Sequence, residues 1–258
     1  MNAPTRLEGL GVVITRPRAA ADALATALER EGARVIVFPA LAIEDIAPTP
    51  ALVEALSGLS RFRLAIFVSA HAVEKGLEAA ARHGPWPAEL AVAAIGEATA
   101  QALRNSGFPS VIYPHERHDS EQLLALPRLQ AVERQNIIVF RGEGGRERLK
   151  EELEARGARV VYAECYRRVR PSADPAPVLE ALARGEIHAV SVLSAETLEN
   201  FVAMIGPEGA RGLGALALAV PHPAVAAGAS GRRFARVVVA GHGAEGLVQA
   251  LSRIRVTT

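Results

Sequence analysis

The chain repeats itself at a fixed spacing, and this limits its fold more than any other feature. Gly32-Ala33-Arg34-Val35 recurs as Gly157-Ala158-Arg159-Val160, an offset of 125 residues. At the same offset Arg16 falls on Arg141, Ser69-Ala70 on Ser194-Ala195, and Ala93–Ile95 on Leu218–Val220; Val111–Tyr113 lies one residue out of step with Val237–Val239. Four anchors sharing one offset indicate a duplicated ancestral segment. The repeated material consists of short apolar runs rich in β-branched residues: Val12–Ile14, Arg34–Phe38, Leu64–Val68, Ala91–Ile95, Val111–Tyr113, Asn136–Phe140, Arg159–Tyr162, Ala189–Leu193, Leu216–Val220 and Val237–Ala240. Helical patterns lie between most of them, such as the stripe Ala21, Leu24, Ala25 and Leu28 at a period of 3.6. Strands alternating with helices of this length imply parallel β-α-β units. The expectation is two homologous five-stranded α/β units of ordinary domain size; a single ten-stranded sheet is the alternative.

After the second strand of each half comes an extended, polar stretch, Pro39–Pro50 and Ala163–Pro177. Proline biases its predecessor toward extended conformations. Both stretches therefore read as connectors, too polar for core strands. If both cross between lobes, the lobes are joined twice around a cleft.

Composition excludes several classes. Of 258 residues half are apolar and 22% are charged, which is globular composition and argues against disorder, collagen and coiled coil. A net charge of +1 gives no field for nucleic acid or an anionic membrane. The single cysteine, Cys165, precludes an intrachain disulfide framework and fits a reducing, cytoplasmic setting. The start, Met1–Gly11, lacks the layout of a signal peptide, and the apolar stretch Leu213–Ala229 carries Pro221, His222 and Pro223, a poor membrane span. All basic residues but Lys75 and Lys150 are arginine, whose fork suits carboxylates and phosphates; a GC-rich genome accounts for the count equally well.

In an open parallel sheet, ligands bind beyond the carboxyl ends of strands. Four sets of residues there carry suggestive chemistry. Thr15-Arg16-Pro17-Arg18 and Arg141-Gly142-Glu143-Gly144-Gly145-Arg146 each join a strand to a helix, and the second has glycines that let backbone N–H groups approach an anion. Ser69 and Ser194 close strands and serve equally as helix N-caps. Gly96-Glu97-Ala98-Thr99 has the counterpart Pro221-His222-Pro223-Ala224. The sequence has no P-loop, dinucleotide fingerprint or nucleophile elbow. His115 and His118 beside Glu116 and Asp119 read as a solvated loop and not a metal site, since no second cluster exists, and Cys165 has no histidine partner. What remains is an enzyme that works by orienting a reactive ligand, or a binding protein. Tyr166, in Glu164-Cys165-Tyr166-Arg167-Arg168, offers a phenol for a leaving group or an amphipathic side chain packed at the lobe junction.

The ordered segments Val13-Ile14-Thr15-Arg16-Pro17, Gly32-Ala33 to Phe38-Pro39, Phe67-Val68-Ser69-Ala70, Ile95-Gly96-Glu97-Ala98-Thr99, Ser120-Glu121 to Leu123-Leu124, Arg141-Gly142 to Gly145-Arg146 and Glu164 to Tyr166-Arg167 resemble the uroporphyrinogen-III synthase family from about Gly11 to Leu251. Two departures are His71, where many relatives have asparagine, and Ala224, where arginine is common. The resemblance implies two doubly wound, flavodoxin-like domains that exchange segments: 1–38 with 172–258, and 47–162, joined by connectors 39–46 and 163–171. It implies cyclisation of hydroxymethylbilane, a linear tetrapyrrole with eight carboxylates, to uroporphyrinogen III. Water is lost and ring D is inverted through a spiro intermediate, without metal or organic cofactor. The bilane closes unaided to the wrong isomer, so such an enzyme must control geometry. By the same resemblance Tyr166 helps the hydroxyl leave, and Arg16, Ser69, Gly96, Thr99, Arg141, Gly142, Gly145, Arg146, Ser194, Pro221 and His222 bind substrate. The enzyme is expected to be a cytoplasmic monomer with at most transient contact with hydroxymethylbilane synthase. A two-lobed polyanion-binding protein without catalysis and a sugar-nucleotide transferase are the rivals.

Overall fold

The computed structural model describes residues 5–115, 119–145, 147–228, 234–241 and 243–254. It opens with β1 (Gly11–Ile14), α1 (Arg18–Arg30) and β2 (Arg34–Val37). A central run follows: β3 (Ala42–Asp45), α2 (Pro50–Ser57), β4 (Leu64–Phe67), α3 (Ala70–Ala81), β5 (Ala91–Ala94), α4 (Glu97–Asn105), α5 (Ser120–Ala125), α6 (Pro127–Gln130), β6 (Asn136–Gly142), α7 (Arg148–Ala155) and β7 (Arg159–Val169). The chain then forms α8 (Ala176–Ala183), β8 (Ala189–Ser191), α9 (Ala195–Gly212), β9 (Ala217–Val220), α10 (Pro223–Gly228), β10 (Arg236–Val239) and α11 (Gly243–Leu251).

Two compact units result. Unit 1 comprises Met1–Ala42 and Val169–Thr258; unit 2 is the intervening Ile43–Arg168. Unit 1 has a five-stranded sheet of order β10-β9-β8-β1-β2, parallel at every junction. Unit 2 has the order β3-β7-β6-β4-β5, and β7-β6, β6-β4 and β4-β5 are parallel. The duplication is legible in these orders. β1 and β2 correspond to β6 and β7, and β8 and β9 correspond to β4 and β5. Each sheet therefore takes two strands from one copy and the rest from the other, which is the exchange of segments expected above. The repeated glycines mark equivalent turns: Gly32 and Gly157 follow α1 and α7 at φ of 91° and 83°, a region that L side chains rarely adopt.

Two parts of the sequence reading change. Val111–Tyr113, expected as a strand, makes only an isolated bridge between Ile112 and Ala93. The stretches expected as connectors contain regular strand. Ala42–Asp45 is edge strand β3, and β7 runs on past Tyr162 to Val169. An edge strand can carry Glu44 and Asp45 to solvent, so polarity did not exclude it.

Helices cover both faces of each sheet, as in doubly wound folds. In unit 1, Leu24 and Leu28 of α1 pack with Leu247 and Leu251 of α11 on one face, and Val178, Phe201 and Ile205 of α8 and α9 fill the other. In unit 2, α2, α3 and α4 bury Leu56, Val73 and Leu103 against Phe67 and Phe140, whose rings stack at 4.6 Å. The opposite face is filled by Leu123, Leu129 and Leu153. Each such side chain contributes about 1.5–3 kcal/mol on burial. Together they fix the strand ends from which the functional loops project.

Candidate active site

The chemistry of unit 2 gathers beyond the carboxyl ends of β4, β5 and β6, with one wall supplied by β7. A cavity of about 320 Å³ lies there, and Ser69, Ser120, Arg141, Gly142, Tyr166 and Arg168 are among its lining residues.

Tyr166 reaches this cavity because of a bulge. Arg141 pairs with Glu164, but the next residue, Gly142, pairs with Tyr166, so Cys165 is extra. A bulge re-aims the side chains after it. Here Cys165 and Tyr166 are both buried in succession, breaking the alternation. The Tyr166 ring lies against Gly142, where an added Cβ would stand 2.7 Å from Cε2 and 2.9 Å from Cζ. The phenol oxygen is 2.9 Å from Ser69 Oγ. Ser69 is also the N-cap of α3, its Oγ accepting the Ala72 N–H at 3.0 Å. The His71 ring stands 6.2 Å from that of Tyr166, centroid to centroid.

The Gly142–Gly145 loop is tied down from within. Glu143 N–H donates to Tyr166 O at 2.7 Å, and Gly144 N–H donates to Glu164 Oε1 at 3.1 Å. Two amides expected to meet an anion are thus engaged by the chain itself. Arg141 is 5% exposed. Its guanidinium lies 4.2 Å from the centroid of the Tyr162 ring, bonds Glu147 at 3.2 Å and donates to Gly144 O. It lines the cavity with a fork already directed at this loop. Burial, the largest influence, pushes the Tyr162 phenol above its ordinary value, against the opposing charge of Arg141.

The other expected residues sit as follows. Gly96 precedes α4, and Thr99 is buried in its first turn; neither lines the cavity, although Ile95 does. Arg146 lies outside the described residues, as does His118. In unit 1, Thr15 is buried and donates to Ser191 O at 2.7 Å. Next to it Arg16 lines a crevice of about 10 Å³ with Ser191 and Pro221. Arg16 Nε is buried and has no hydrogen-bond partner among the described residues, and burial pushes this guanidinium below its ordinary value. Ser194 caps α9 through Thr197 N–H at 3.1 Å, as Ser69 caps α3. His222 is exposed, and its Nδ1 accepts the Ala224 N–H at 3.1 Å. Among the described residues no group of three or more His, Cys, Asp or Glu could hold a metal, and no helix is long and apolar enough to cross a membrane.

Sequence reasoning missed Ser120, Tyr162 and Arg168 as cavity residues. Ser120 lay within the resembling segments and Arg168 beside Tyr166. Nothing in the pattern around Tyr162 distinguished it from a core strand residue.

Fold and site together define a class: duplicated, segment-exchanged α/β proteins with polar groups and a buried phenol at the carboxyl ends of parallel strands. The family model described as uroporphyrinogen-III synthase HemD matches residues 22–249. The uroporphyrinogen-III synthase of Escherichia coli is 33% identical over 199 residues, covering 76% of this chain and 80% of the relative. That of Salmonella typhimurium is 39% identical over 161 residues, covering 62% and 65%. A crystal structure of a mutant uroporphyrinogen III synthase from Thermus thermophilus superimposes with a TM-score of 0.62 at 20% identity, covering 95% of this chain and 98% of that one, which shows the shared fold. The chain belongs to the uroporphyrinogen-III synthase family. It is accordingly an enzyme of tetrapyrrole and heme biosynthesis.

Proposed function

We propose that the chain acts as a hydro-lyase on hydroxymethylbilane, closing it to uroporphyrinogen III with Tyr166 as the acid. The observation that carries this reading is the buried phenol, held 2.9 Å from Ser69 in the wall of a cavity lined with hydroxyl and guanidinium groups. As the C–O bond of the hydroxymethyl group breaks, the phenol proton goes to the departing hydroxyl, which leaves as water; the electron pair for this comes from the pyrrole. Ring D inverts through the spiro intermediate. The proton released at final ring closure returns to the phenolate, so the residue ends as it began. Ser120 and Arg168 are candidates for the substrate's carboxylates, Ser69 stands against the phenol, and Arg141, Gly142 and Gly145 shape the loop beside them. Arg16, Ser194 and His222 in unit 1, together with Gly96, Thr99 and Arg146, are further candidates for the remaining carboxylates, while Pro221, which has no N–H to donate, could only pack against the substrate. The reading also holds the enzyme to be a cytoplasmic monomer that takes its short-lived substrate from hydroxymethylbilane synthase in passing.

The test supplies hydroxymethylbilane and measures the type I and type III products. Wild type is expected to yield type III. Tyr166→Phe is expected to lower kcat by about 100-fold or more, as for loss of a general acid. Unchanged turnover removes Tyr166 from that role, and binding without isomer control identifies a polyanion-binding protein instead.

A further inference from the structure

A hydroxyl pair such as Ser69 and Tyr166 has two proton arrangements. If Tyr166 donates to Ser69, the phenol has no proton free for a ligand. If Ser69 donates, the phenol proton is available to the cavity and the phenol oxygen gains a donor. The surroundings of Ser69 favour the second. Its Oγ already accepts the Ala72 N–H at 3.0 Å in the first turn of α3, a helix of 12 residues. An N–H donated into a hydroxyl oxygen polarises its O–H and makes it a stronger donor. The positive end of the helix draws a serine lone pair inward and so favours a proton directed outward, where the phenol oxygen lies 2.9 Å away. Tyr166 cannot swing away to avoid this donor, because its ring is buried and rests on Gly142.

We propose that Ser69 is a positioning residue for Tyr166: its hydroxyl donates to the phenol oxygen, aims the phenol proton at the substrate and stabilises the charge left when that proton departs. This rests on the reading of Tyr166 as the acid. Only the Tyr166 proton is transferred; the Ser69 proton stays on Oγ throughout. The helix-capping bond and the catalytic bond thus share one oxygen atom, so the local fold of α3 sets the orientation of the acid.

The experiment measures kcat and KM for type III formation in Ser69→Ala, Ser69→Gly, Ser69→Thr, Tyr166→Phe and the Ser69→Ala/Tyr166→Phe double variant. Losing a hydrogen bond to a developing charge is expected to lower kcat of Ser69→Ala by about 10- to 100-fold. KM should stay within about two-fold, since the bond is not made to substrate. Glycine is nearly as good an N-cap as serine, so Ser69→Gly should lose turnover with little change in melting temperature. Ser69→Thr should restore most of the rate. In the Tyr166→Phe background, Ser69→Ala should cost nothing further, because its effect runs through the phenol. Four results would overturn the inference. They are an unchanged kcat in Ser69→Ala, a raised KM with kcat intact, a failed rescue by threonine, or losses that multiply in the double variant. If Tyr166→Phe alone falls while Ser69→Ala does not, the acid stands and only the role of Ser69 is lost. If Tyr166→Phe is itself unchanged, the underlying reading of the acid fails.

Discussion

Replacing Gly142 by alanine tests whether the site depends on contact between one strand and one ring. Gly142 does not have a positive φ, so its backbone accepts alanine without strain. The whole effect must then come from space. The new Cβ would stand 2.7 Å from Tyr166 Cε2, while ordinary contact begins near 3.4 Å, so the ring must retreat by about 0.7 Å. Tyr166 is only 4% exposed and has few places to go. Overpacking of this kind costs about 1–3 kcal/mol. A retreat of that size also stretches the 2.9 Å bond to Ser69 to as much as about 3.6 Å, beyond hydrogen-bond range. Gly142→Ala should therefore lower the urea midpoint and reduce kcat about as much as Ser69→Ala does. Urea unfolding followed by circular dichroism and initial rates of type III formation read the two effects separately. A variant with the wild-type midpoint and wild-type kcat would refute the reasoning, because the ring would then have yielded at no cost.

Two further expectations concern groups other than the acid. His188 Nδ1 accepts the Gly11 N–H at 2.9 Å, so the bond needs a neutral ring, and burial holds its pKa below the ordinary value. The unfolded chain then takes up the proton first as pH falls. Stability is full above the unfolded histidine value of about 6.5 and is lost below it, with a slope of at most one proton's worth, about 1.4 kcal/mol per pH unit. His188→Gln should flatten this slope in urea titrations between about pH 5 and 7, and an unaltered slope would dismiss the assignment. Cys165 is buried, and burial together with the Glu164 charge pushes its thiol up to about 12. With a thiolate fraction of about 10⁻⁴ at pH 8, it should ignore a disulfide reagent in the native protein and react promptly in urea; a fast native reaction would contradict the burial.

The duplication made the architecture legible, because the Gly32/Gly157 and Ser69/Ser194 anchors sit at turns and caps whose backbone geometry depends on residue type. What escaped was set by tertiary context. Ala42-Ile43-Glu44-Asp45 has no apolar alternation, since an edge strand needs only one covered side. In sequence β7 ends at Tyr162, because Glu164, Arg167 and Arg168 look like loop residues, yet Ala163, Cys165 and Tyr166 among them are buried. The bulge opposite Gly142 leaves no signature in sequence, so Tyr166 could be singled out for its chemistry but not placed. Arg141 stands out in sequence because it repeats Arg16 at the 125-residue offset; that Tyr162, Glu147 and Gly144 engage it depends on a loop conformation the pattern does not encode.

The interleaved strand order has a consequence for how the polypeptide emerges from the ribosome. Val12 must pair with Ala189, so β1 waits while the whole of unit 2 is synthesised. Unit 2 is one uninterrupted segment and can condense as soon as it is available, whereas unit 1 closes only after β8 and β9 have been made. Until then the apolar β1 and β2 have no final neighbour on the β8 side, and the nascent chain is most vulnerable to aggregation during that interval.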